Sequence, residues 1–220
     1  ETGTVVITAT AVSGVSEEIE IEIYSDIGYA VAGVGGAVAI AAGGAVTARY
    51  ESRRPCWMSK YTEQMIANPI DLDIAVTVFP KNRVPAGGNM AFRHTAFDKV
   101  GLFNPKLGRN GEKLTGGEEN DLFARLRAEG EELFFVPGAR IFHHIPDSKL
   151  TDNYFDTLSY NVGKSKRLRA NSDTELKQLF ADERKKRFAT YILAAIYTLF
   201  LQPKKAKYLL RMRRGISRGI

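Results

Sequence analysis

The chain has 220 residues, 44% hydrophobic and 25% charged, a balance that suits one domain with a proper core, or such a domain with an appendage. Its single cysteine, Cys56, excludes an internal disulfide framework and points to a reducing compartment. The first residues lack the basic, apolar and small-residue order of a signal peptide, so the expectation is a chain not marked for secretion. The net charge of +6 is unevenly placed: residues 1–163 hold 15 basic and 21 acidic side chains, residues 164–220 hold 16 and 4. A tail of net +12 suits an anionic partner, either nucleic acid or the cytoplasmic face of a membrane.

In chain order, TVVITATAV and EEIEIEIY flank Ser13-Gly14, and Glu18, Glu20 and Glu22 alternate with Ile19, Ile21 and Ile23. That period of two predicts a strand with one wet face in a hairpin. Residues 27–48 carry no charge, but six are Gly and eight are Ala, and the paired glycines at 35, 36, 43 and 44 favour strands and turns over a membrane span. From Arg49 the texture is that of a mixed α/β domain. PCWMSKYTEQMIAN reads as a helix or an ordered loop, and IDLDIAVTVFP as the approach to a strand. TAFDKVGLF reads as a short helix with Phe97, Val100 and Phe103 on one side. Residues 118–129 read as a helix opened by Gly116-Gly117, 132–136 as a buried strand, Pro137-Gly138 as a turn and 140–144 as a further strand. Residues 151–170 and 174–201 are expected to be helical, with a basic helix after Pro203. Three linear regions follow: a strand-rich, Gly/Ala-rich segment (1–48), a central α/β region (49–170) and a basic, apolar helical tail (171–220). Within the tail, Phe188 to Pro203 is 16 residues without charge, flanked by Lys185-Lys186-Arg187 and by Lys204, Lys205 and Lys207. Spanning a bilayer takes about 20 apolar residues, so an apolar helix lying in the interface fits better than a span or a nucleic-acid-binding arm.

Three features could carry chemistry. Glu118, Glu119 and Asp121 fall in the first turn of a predicted helix, where free N–H groups and the dipole favour anions. Three acids in one turn exceed what capping needs, and mutual repulsion with partial burial is how a carboxylate becomes a base near neutrality. Pro85-Ala-Gly-Gly-Asn89 offers two glycines that let backbone approach a ligand, and a short side chain that both donates and accepts. His143 and His144 end a strand on opposite faces, so one of them enters a given site, where imidazole can ligate a metal or meet a phosphate.

In order, AGGNMAFRHTAFDKVGLFNPKLG, GGEENDLFARLRAEGEELFFVPGARIFHHIP and DNYFDTLSYNVGKSKR closely resemble the carboxyl-terminal half of family 2 glycosyltransferases of the GT-A fold. The resemblance covers roughly residues 46 to 220. It implies an α/β fold, a mixed sheet flanked by helices, altered at the N-terminus and followed by basic, apolar C-terminal helices. It further implies inverting transfer from a nucleotide-diphosphate sugar to a hydroxyl acceptor, lipid-linked or polysaccharide, with Mg²⁺ or Mn²⁺, at the cytoplasmic face of a membrane and without nucleic acid. By the same resemblance Gly87, Gly88 and Asn89 line the sugar and acceptor site. Glu119 is the base, with Glu118 beside it and Asp121 as a second candidate. His143 is the metal or diphosphate ligand, and Lys164, Ser165 and Arg167 belong to the region that closes over the diphosphate. The usual nucleotide-binding half is not recognisable in residues 1–48: the only aspartate before Arg49 is Asp26, and no Asp-x-Asp occurs there. An alternative expectation is therefore a non-catalytic fragment or pseudoenzyme that serves as a binding or assembly module.

Overall fold

The computed structural model describes residues 3–10, 16–23, 39–105, 107, 116–170 and 172–220, the first two stretches as backbone alone. Strands β1 (Gly3–Thr10) and β2 (Ser16–Ile23) pair antiparallel as the predicted hairpin, in a register that sets Val5 opposite Ile21 and Ile7 opposite Ile19. The Ser13-Gly14 turn, Asp26 and residues 27–38 of the Gly/Ala run lie outside the described residues, as do the side-chain faces of the alternating glutamates.

The rest is mixed α/β: β3 (Ala41–Tyr50), α1 (Lys60–Ile66), β4 (Thr77–Val78), β5 (Met90–Phe92), α2 (His94–Val100), α3 (Glu118–Ala128), β6 (Leu133–Ile145), a 3₁₀ turn (Asp147–Leu150), α4 (Asp152–Arg169), α5 (Asp173–Leu199) and α6 (Pro203–Gly219). Four strands form an open mixed sheet in the order β4-β6-β3-β5, with β3/β5 and β4/β6 antiparallel. Chain contacts divide the protein into two compact units that interleave along the sequence: 1–47, 69–104 and 119–143 in the first, 48–68, 105–118 and 144–220 in the second.

In the first unit the run LFFV of β6 is buried on both faces. Leu133 and Phe135 join Ile40, Ala45, Ile70, Phe123 and Leu126, whereas Phe134 and Val136 meet Ala39, Ala42 and Ala139. Strand alternation sends successive side chains to opposite faces, so a continuous apolar run is what a sheet covered on both sides requires. The expected helix over TAFDKVGLF is α2, and Phe97 and Phe103 gather on Phe92 at ring separations of 5.6 and 6.1 Å.

One expectation needs correction. Pro137-Gly138 is not a turn between two strands, because β6 runs unbroken from Leu133 to Ile145. β4 registers only with Phe134 and Phe135, so beyond them β6 has no partner on that side among the described residues. Proline lacks an N–H, and at such an edge no ladder bond is lost. The approach expected over IDLDIAVTVFP leads into the two-residue strand Thr77–Val78, after Oδ1 of Asp73 accepts from the N–H groups of Ile74 (2.7 Å) and Ala75 (3.2 Å) in an Asx turn that diverts the backbone.

The second unit is helical. Its core sets Met58, Phe155, Leu158, Leu209, Met212 and Ile216 together, with Trp57 stacked on Tyr208 at 4.1 Å. The expected helices start on capping side chains: Thr151 Oγ1 accepts from Tyr154 N (3.3 Å) and Ser172 Oγ from Glu175 N (3.2 Å), while α6 opens on Pro203. α4 and α6 touch backbone to backbone, since a Cβ on Gly163 would overlap the carbonyl oxygen of Ile216.

Candidate functional site

The first unit brings together two of the sequence-marked elements. The Gly87-Gly88 turn leads into β5, and α3 presents Glu119 in its first turn. A Cβ built on Gly87 would overlap Oε1 of Glu119, so the half-buried carboxylate lies directly against the glycine backbone. No other residue type gives that approach, because any β-carbon would occupy the carboxylate's place. Gly88, by contrast, has room: its nearest neighbour to such an atom is the Ile141 side chain at 3.6 Å.

Asn89 ties the turn to the sheet. It is buried, and its amide nitrogen donates to the carbonyl oxygens of Ala45 (2.9 Å) and Ala139 (2.8 Å), on β3 and β6. Both donor hydrogens are thereby used on backbone, and the side chain holds the turn to two strands of the sheet. The backbone joins in, with Gly44 N–H donating to Asn89 O at 3.3 Å. A small recess lined by Ala42, Gly43, Gly44, Asn89, Met90, Ala91 and Val136 lies beside this strap.

Asp121 is likewise engaged. Its Oδ2 accepts from Arg125 Nε at 3.0 Å and lies 2.9 Å from Nη2 of the same guanidinium, which also donates to carbonyl oxygens at the end of α2. This is a helix i,i+4 pair recruited to tie two helices. His143 is half-buried on β6, four residues beyond the Ala139 carbonyl that Asn89 binds, and His144 is exposed. The alternation expected of neighbouring strand residues is therefore present.

In the second unit Glu118 is half-buried and its Oε2 is buried with no hydrogen-bond partner among the described residues. Ser165 is buried: its Oγ donates to Asn161 O (2.8 Å) and accepts from Gly116 N (3.1 Å), so it anchors the Gly-Gly lead into α3. Arg167 Nη1 donates to Ile220 O at 2.8 Å and its guanidinium lies 5.9 Å from the Phe180 ring, while Lys164 is exposed. The neighbouring Lys166, half-buried, is pushed down to about 8, chiefly by burial and then by the cations Lys186 and Arg213.

One signal in the sequence was missed. Asp-x-Asp spacing does occur, after Arg49, at Asp71-Leu72-Asp73. Both aspartates are exposed; Asp73 closes the Asx turn described above, and Asp71 lies 3.8 Å from Arg140. Among the described residues no group of three His, Cys, Asp or Glu side chains converges as a divalent cation needs. No chemical step is routed through a metal. Comparison with known protein families, with curated proteins and with solved structures finds no match for this chain.

Proposed function

We propose that the chain is a glycosyltransferase of the family 2, GT-A-like kind, passing a sugar from a nucleotide-diphosphate sugar to a hydroxyl acceptor with inversion. The observation that carries this reading is the contact of the Glu119 carboxylate with the Gly87 backbone. Two motifs separated by 32 positions meet in one unit, and they are the two to which the resemblance gives the acceptor site and the base. Glu119 takes the proton from the acceptor hydroxyl as its oxygen attacks the anomeric carbon from the face opposite the leaving diphosphate. The Gly87-Gly88 turn gives the acceptor backbone at close range, and Asn89 keeps that turn in place from below. The four-stranded mixed sheet with its helices is compatible with the carboxyl-terminal half of such a fold.

The second reading, a non-catalytic binding or assembly module, draws on the engagement of Asn89 and Asp121 in structural bonds. Binding separates the two. On the transferase reading, a panel of nucleotide-diphosphate sugars should include one that raises the melting temperature by several degrees at about 100 times its Kd, since selective binding to the folded state adds about 2.7 kcal/mol of stability. No shift across the panel, with and without Mn²⁺, would reject the transferase reading.

A further inference from the structure

Helix α5 changes character along its length. One face turns inward throughout, with Glu183, Thr190 and Ala194 buried against its surroundings in the second unit. On the other face the first half is charged, ending in the exposed Lys185, Lys186 and Arg187. From Phe188 onward the exposed large side chains are apolar or aromatic: Phe188, Tyr191, Ile192, Ile196 and Leu199 recur at three- and four-residue spacing and so form one stripe, with Thr198 also exposed. The stripe continues around the corner into α6 through Phe200 and Leu201.

The corner breaks three local rules together. Leu201 is 89% exposed, the costliest place for a large apolar side chain. It also holds a left-handed backbone at φ 56, closing a Schellman cap in which Gln202 N–H donates to Tyr197 O (2.8 Å) and Leu201 N–H to Thr198 O (3.1 Å). Glycine is the usual residue there. Finally, the first turn of α6 contains no acid and instead carries Lys204 and Lys205, with Lys207 directly after it, the opposite of what a helix N-terminus favours. Lys205 lies over the Tyr197 ring at 6.0 Å, but Leu201, Lys204 and Lys207 stay exposed, and rules broken together at one exposed place mark a surface built for a partner.

We propose that this corner, the end of α5 with the start of α6, docks on an anionic lipid bilayer and lies in its interface. The apolar stripe ends in lysines at both borders, which complements acyl chains bounded by negative headgroups. Among the described residues no helix is long and apolar enough to cross a membrane, so the corner enters the bilayer without spanning it. The surface belongs to the second unit and requires no sugar chemistry of Glu119; its success or failure is therefore independent of the transferase reading.

The test is sedimentation of the full chain with vesicles of phosphatidylcholine alone and of phosphatidylcholine mixed with phosphatidylglycerol. The protein should partition onto the mixed vesicles, and added salt should release it. Leu201→Gly should weaken partition about tenfold while the melting temperature holds or rises, because glycine suits the cap but buries nothing in lipid. Replacing Lys204, Lys205 and Lys207 by Gln should weaken it on the order of a hundredfold at low salt. Ile74→Ser, at an exposed apolar residue of the first unit, should change nothing. Absence of the wild-type chain from phosphatidylglycerol vesicles would overturn the proposal, as would undiminished binding by Leu201→Gly. A concentration-dependent dimer that Leu199→Ser dissociates, with no vesicle binding, would assign the face to a second copy of the chain instead.

Discussion

Glu119→Gln should reduce sugar transfer by a factor of about 10² to 10⁴, the usual contribution of a positioned general base, while the melting-temperature shift produced by the donor sugar stays intact. The amide keeps the size of the carboxylate and its place against Gly87 but cannot take a proton. Gly87→Ala is the companion variant. Its methyl would occupy the position of Oε1, and the displaced atom is the end of a flexible side chain rather than backbone, so stability should change little as transfer falls. Asp121→Asn, in which the Arg125 tie is weakened without touching Glu119, should cost stability more than turnover. Full transfer by Glu119→Gln would remove Glu119 from the role of base.

Glu183→Ala should destabilise the protein by about 3–5 kcal/mol, the range found when one partner of a buried ion pair is removed, and lower the melting temperature by on the order of 10 °C. Glu183 is buried on α5. Its Oε2 receives Arg213 Nη1 at 2.9 Å and its Oε1 receives Ser217 Oγ at 2.6 Å, both from α6. Alanine leaves Arg213, itself largely buried, with only the 3.2 Å bond from Nε to Thr190 Oγ1. A paired Glu183→Leu, Arg213→Met variant should recover most of the loss, because desolvating both charges costs much of what their attraction returns. Lys166 adds a pH signature to the same cluster. Its folded pKa of about 8 lies below the ordinary lysine value, so folding disfavours its charge at neutral pH. That penalty is full below about 8 and is relieved as pH rises toward the unfolded lysine pKa. Stability should thus gain from this group between pH 8 and about 10.4, and Lys166→Met should erase that gain. An unchanged profile in denaturant titrations would mean that Lys166 is solvated.

The helices of the second unit were legible because their signals are local. Thr151, Ser172 and Pro203 each sit at a helix start, and the caps of Thr151 and Ser172 reach only three residues along the chain. The hairpin of β1 and β2 was legible from its alternation for the same reason. β6 was misread at Pro137-Gly138 because those residues signal a turn wherever both edges of a strand are paired. Whether an edge is open depends on β4, more than 50 positions away in sequence. The meeting of Gly87 with Glu119 could not be read from pattern or propensity, since nothing in either motif names the other; only the family resemblance suggested it. The structural bonds of Asn89 were not legible. Its partners, Ala45 and Ala139, contribute backbone carbonyls, and a carbonyl leaves no trace in a sequence. Asp71-Leu72-Asp73 shows the converse, a spacing that satisfies a motif while its geometry makes a turn.

The Asn89 strap also bears on the order of assembly. Its two bonds close loops of 44 and 50 residues in opposite directions along the chain. Loop closure of that length is an entropic cost met before any reward, so these bonds wait for β3 and β6 to stand side by side. The turn that meets Glu119 is then among the last parts to set, and a chain caught halfway has a sheet but not yet the approach of Glu119 to Gly87. Pulse-labelled amide exchange during refolding should accordingly find the Gly44 N–H, which donates to Asn89, protected later than the amides of α5; simultaneous protection would contradict that sequence of events.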